Sequence, residues 1–202
     1  VMGNAQHRIG HQLTISSGNI LDSDAGSLAE VYIKAVADME AVIINEQQTS
    51  NSVTELVASN EFEDYIALSI EQLENIKESN LNSLKQLMKI KANTFGMDPI
   101  KISFTKEEKE ASKIIPVPTE LVRIDGYRGY SDILAARVDQ LKSKFPHPTV
   151  GRLSSEVNLL CNGTNSILDI KKMVDVQQPA NVELHDLRNY LEILKAAGLV
   201  KY

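Results

Sequence analysis

The chain has 202 residues, 24% of them charged, and a formal net charge of -6, so nothing in its balance points to a polyanion as general partner. One cysteine, Cys161, excludes an internal disulfide and a cysteine-based zinc knuckle, and aromatics at 5% with no Trp leave little for base stacking. No apolar run approaches the roughly 20 residues of a membrane helix, and Val1-Met2-Gly3-Asn4 lacks the basic region and apolar core of a secretory signal; a cytoplasmic location is expected.

The length accommodates one or two domains. Residues 1–24 read as an irregular lead-in, a segment that begins inside a domain, with Leu13-Thr14-Ile15 as a strand remnant before the turn-rich Ser16-Ser17-Gly18-Asn19. His7 and His11 stand four apart, as two metal ligands on a helix would, but the glycine between them and the missing acidic neighbour argue against a site. Asp22 and Asp24 flank Ser23; paired carboxylates serve acid–base chemistry or metal binding, although entry to a helix is their commoner use.

Residues 25–95 are expected to form a long helical hairpin. Ser27-x-x-Glu30 is a capping box, and Leu28, Val31, Ala35, Met39 and Val42 lay one apolar stripe along a helix running to about Gln48, about 35 Å at 1.5 Å per residue. The polar run 47–51 reads as a turn. Ser52-x-x-Glu55 opens a second helix, with Val53, Leu56, Val57, Ile66, Ile70, Leu73, Leu84, Leu87 and Met88 as its stripe, interrupted at Asn60 and Asn80. Its acids come early and its lysines late, as the helix dipole favours. Two stripes this long need covering by a neighbouring domain or a second copy, so a homo-oligomer is expected.

Residues 96–149 form a connector. Gly96 and Pro99 close the hairpin, Ile100, Ile102 and Phe104 alternate as a brief strand, and Thr105-x-x-Glu108 caps a short charged helix. Pro116 and Pro118 keep 114–122 extended. Arg123 to Arg128 contains a Gly-Tyr turn, 131–144 is another amphipathic helix, and His147 sits alone between Pro146 and Pro148.

Residues 150–202 are the most regular part. Leu153, Val157 and Leu160 recur at helical spacing up to the Asn162-Gly163 turn, which with Thr164 also matches a glycosylation sequon. Ile167, Leu168, Ile170 and Val174 mark a second helix ended by Pro179, and Leu184, Leu187, Leu191 and Leu194 a third stopped by Gly198. The tail Leu199-Val200-Lys201-Tyr202 alternates like a strand. Three small helices and a strand of this pattern look like a winged helix, which defines a fold and leaves the partner open. The fold class is thus mainly α, with a short β element. Cys161 falls in the apolar repeat as a core residue, and His185 stands alone on the third helix. That helix carries Arg188 and Lys195 against Glu183, Asp186 and Glu192, and six basic residues meet six acids over 150–202, so no DNA reading is expected; Lys171-Lys172 is a solvated pair.

The order of elements, together with Leu160-Cys161-Asn162-Gly163-Thr164-Asn165-Ser166-Ile167-Leu168-Asp169-Ile170 and Tyr190-Leu191-Glu192-Ile193-Leu194-Lys195-Ala196-Ala197-Gly198-Leu199-Val200, resembles the C-terminal part of co-catalytic di-zinc aminopeptidases that end in a winged helix. In that family the last zinc ligand is a histidine in a Tyr-His-Thr/Ser segment; the corresponding stretch here is Thr14-Ile15-Ser16-Ser17-Gly18, with Ile15 in the histidine's place. The resemblance implies removal of N-terminal residues from peptides by a zinc-dependent parent protein, with the other ligands upstream of this chain. By itself the chain is then inert, with no catalytic, cofactor-binding or metal residues of its own. The expected function is a non-catalytic accessory or assembly region whose partner is protein, its own catalytic domain or a second copy, with no nucleic acid and no membrane. The alternative is a winged-helix adaptor with a helical dimerisation arm.

Overall fold

A computed structural model describes residues 2–54, 60–122, 153–177 and 182–202. The architecture is mainly α, and it divides into two compact units, residues 1–103 and 104–202.

In the first unit α1 (Met2–Asp22), α2 (Leu28–Thr54) and α3 (Asn60–Thr94) pack as a three-helix bundle. The irregular lead-in expected over 1–24 is instead a helix for nearly its whole length. Its register explains why: Ala5, Ile9, Leu13, Ser16 and Ile20 follow one another at steps of three or four, and all are buried except Leu13, which packs partly buried against the core. Gly3, Gly10 and Gly18 have open space where a Cβ would stand. Each glycine costs about 1 kcal/mol relative to Ala in a helix, and burial of Ile9 and Ile20 at about 1.5–3 kcal/mol apiece offsets that. The hairpin expected over 25–95 therefore has a third member. The stripes of α2 and α3 meet in one core, Leu28, Ala35, Met39, Leu73, Leu84 and Met88, which α1 completes from within the same chain.

The joints of the bundle also differ from the sequence expectation. The reciprocal cap of α2 lies one turn before Ser27-x-x-Glu30: the Asp24 carboxylate accepts from Ser27 N–H at 2.8 Å, and Ser27 Oγ accepts from Asp24 N–H at 3.1 Å. The polar run 47–51 continues α2, with partners for several of its side chains. Thr49 Oγ1 donates to Asn45 O and Gln47 Nε2 donates to Glu74 on α3, while the buried Ser50 hydroxyl has no hydrogen-bond partner among the described residues. Ser52 lies inside α2, its hydroxyl donating to Thr49 O, rather than opening a new helix; Glu55 is outside the described residues. Asn80 does not interrupt α3, and its amide donates to Met39 Sδ across the helix pair. α3 ends in a left-handed Gly96 (φ 66°), with Met97 N–H donating to Ala92 O and Gly96 N–H to Asn93 O, the double bond of a Schellman cap.

The strand expected at Ile100–Phe104 is absent. These residues find no ladder partner among the described residues, and Ile102 and Phe104 stay exposed. The Thr105 cap forms as expected: Thr105 Oγ1 accepts from Glu108 N–H and Glu108 Oε2 accepts from Thr105 N–H, opening α4 (Lys106–Ala111). The extended segment then supplies β1 (Val117–Pro118), paired antiparallel with β2 (Val200–Lys201) in the register Val117 to Lys201 and Pro118 to Val200. The Gly-Tyr turn, the helix expected over 131–144 and His147 lie outside the described residues.

Three helices, α5 (Ser154–Leu160), α6 (Ile167–Gln177) and α7 (Leu184–Ala196), surround a core of Leu153, Val157, Ile167, Ile170, Met173, Leu187, Leu191 and Leu194. Gly163 (φ 83°) turns between α5 and α6, where a Cβ would stand 3.6 Å from the Val117 side chain on β1. Gly198 (φ 76°) repeats the Schellman cap on α7, with Leu199 N–H donating to Leu194 O and Gly198 N–H to Lys195 O. That cap aims the chain directly into β2.

Candidate functional site

The residue types able to do chemistry are placed as follows. Cys161 caps the end of α5 and is buried, and loss of hydration pushes its thiol up to about 12, so the thiolate is scarce at neutral pH. Tyr190 is buried beside it and donates its hydroxyl to Asn158 Oδ1 at 2.9 Å; burial pushes its phenol up to about 12 as well. Tyr202 donates to Glu192 Oε1 at 2.6 Å while Lys195 lies 3.9 Å over its ring, and burial first, then Glu192, raises its phenol.

The two carboxylates singled out in sequence do not act as a pair. Asp24 is committed to the α2 cap, and its hydrogen bonds from the Ser27 side chain and backbone lower its pKa below the ordinary carboxylate value. Asp22 is exposed and lines an open cleft of about 280 Å³ between α1 and α2, with Ser16, Asn19 and Ser23 on one side and Lys34 and Asp38 on the other. Lys34 pairs with Asp38 at 2.8 Å across one turn of α2, so the cleft offers Asp22 and the amide of Asn19 as its free polar groups.

Ile15, the position that the resemblance gives to a zinc-ligating histidine, is in the middle of α1 and 43% exposed. His7 and His11 fall on α1 too, both exposed, and the helical frame their spacing calls for is present. Among the described residues no group of three or more His, Cys, Asp and Glu side chains is gathered as a metal shell. His185 is exposed on α7, its Nε2 3.0 Å from the Asn189 amide.

The basic side chains of α7 are engaged within the second unit. Arg188 Nη1 lies 3.8 Å from Glu107 and 3.6 Å from Glu110 of α4, and Lys195 is drawn over Tyr202. Lys171 pairs with Asp175, and Lys172 sits 5.5 Å over the Phe104 ring. No helix of the described residues is long and apolar enough to cross a membrane.

One part-buried ion pair was not legible in sequence. Arg8 on α1 makes two parallel hydrogen bonds, 2.5 and 2.6 Å, to Glu46 on α2, whose carboxylate is buried. The two residues are 38 apart in sequence, and only the helical register of α1, once seen, points Arg8 at α2. No protein-family model matches the chain, and neither a curated protein nor a solved structure matches it.

Proposed function

We propose that this chain is a non-catalytic interaction region, docking to protein, within a metallo-aminopeptidase-like parent. The observation that carries the reading is the disposition of its side chains. Cys161, Tyr190, Tyr202, Glu46 and Asp24 are turned inward or paired, and the exposed polar groups, His7, His11 and Asp22, are not gathered into a catalytic set among the described residues. Some large apolar groups, by contrast, are turned outward. Tyr65 and Leu68 are 55% and 53% exposed at successive positions of one face of α3, with Phe62 stacked on Tyr65 at 6.5 Å between ring centroids. Aromatic and aliphatic side chains on one helical strip are the usual core of a protein-docking patch. What supports the parent is the run of three helices and a strand from Ser154 to Lys201, the order the resemblance expects, in which Arg188 of the third helix answers Glu107 and Glu110 of α4. A cytoplasmic setting belongs to the same proposal.

The partner surface is tested by light scattering of the chain and of a Tyr65→Ser/Leu68→Ser double variant. Self-association of the parent chain that the double variant loses supports docking of a second copy through α3. A monomer at every concentration, with no catalytic domain captured by the chain but not by the variant, contradicts the proposal.

A further inference from the structure

The outer side of α1 presents His7 and His11 one turn apart, within a helix of 21 residues. Positions i and i+4 on an α-helix bring their Cβ atoms to about 5–6 Å, a separation at which one ring nitrogen from each imidazole reaches a common metal ion. Both side chains are exposed, and among the described residues neither imidazole has a hydrogen-bond or ion-pair partner. The strip around them is clear: Gly3 and Gly10, one turn before and between the two, carry no side chain and have open space at the Cβ position. The Thr14 hydroxyl is turned to Gly10 O, and the adjacent cation, Arg8, is held on Glu46. Its charge is thereby compensated, which lowers its repulsion of a bound cation.

We propose that His7 and His11 form a bidentate surface site for a late first-row divalent metal ion, with copper(II) bound most strongly and nickel(II) and zinc(II) less so. Imidazole nitrogen suits these metals, and the ranking is the intrinsic one for nitrogen ligands in an unconstrained geometry. Two protein ligands leave the remaining coordination positions to water or to side chains of a docked partner, so the ion is exchangeable. Ile15, the position the resemblance assigns to a zinc ligand, is a full turn beyond His11 and contributes no donor atom. Because the two ligands span one turn of α1, the metal binds the folded helix and stabilises it against unfolding.

The test is a calorimetric titration of the untagged full chain with copper(II), repeated for His7→Ala, His11→Ala and His185→Ala. About one equivalent bound by the parent chain and by His185→Ala, and lost in each of the other two, is the expected result. A fourth protein, His7→Ala/Ile15→His, rebuilds the four-residue spacing one turn along with His11, and there the equivalent should return. Circular dichroism confirms that each variant is folded. No binding by the parent chain, binding undiminished in His7→Ala and His11→Ala, or failure of the rebuilt pair to recover it would each overturn the assignment.

Discussion

Cys161 illustrates how burial decides reactivity. With its thiol pushed up to about 12, alkylation at mildly alkaline pH should be negligible in the native chain and rapid once denaturant is added. Fast native labelling, followed by mass spectrometry, would show the α5 end to be open. Asp24 titrates in the opposite sense. Its folded pKa is lowered, so its contribution to stability is present above the ordinary carboxylate range and disappears as pH falls through the folded value. The melting temperature of the unmutated chain should therefore drop as the pH falls below the ordinary carboxylate range, and Asp24→Asn, which keeps a capping oxygen, should lower the neutral value slightly and flatten that slope. An unchanged slope would assign the acid sensitivity to other carboxylates.

At the scale of elements, α1 is where sequence and structure part. The stripes of α3 and α7 are legible because Leu, Ile and Met hold most of their buried positions, and on α2 Leu28, Met39 and Ile43 anchor a row shared with Tyr32 and Ala35. On α1 the buried row contains Ala5 and Ser16, while Ile15 and Leu21, which look like core residues, face outward. Ser16 is tolerated there because Gln12 Nε2 donates to its hydroxyl at 3.1 Å. Three glycines on the open side complete the disguise. The capping residues were readable as types but not as positions, since Asp24 and Ser27 satisfy the same rule one turn earlier than Ser27 and Glu30. The site suffers from the same gap: the Arg8–Glu46 contact and the setting of His7 and His11 exist only once α1 is known to be a helix. Two substitutions check its register by urea denaturation. Ile9→Ala should cost about 2–5 kcal/mol by opening the bundle core, and Ile15→Ala should stay within about 0.5 kcal/mol. Equal losses would mean a different face is buried. Arg8→Met should also destabilise, because it leaves the buried Glu46 carboxylate without a counter-charge.

For the whole molecule, charge is distributed unevenly between the units. Residues 1–103 hold seven Lys and Arg against fourteen Asp and Glu, whereas residues 104–202 hold fourteen against thirteen. The net negative charge thus resides in the bundle, which favours a neutral or basic protein surface as its counterpart and opposes a polyanion. The units are joined through an exposed stretch around Lys101, Ile102 and Phe104 that has no ladder partner among the described residues. Limited trypsin digestion should cut first at Lys101 and release a bundle fragment that still unfolds cooperatively. Loss of cooperativity in that fragment would show that the bundle depends on the rest of the chain. The central claim, that the chain docks rather than catalyses, is met most directly by a hydrolysis assay on aminoacyl anilides with zinc supplied. The account predicts release of amine no faster than in buffer containing zinc alone. Turnover that depends on both the chain and the metal, and survives His7→Ala and His11→Ala, would contradict it.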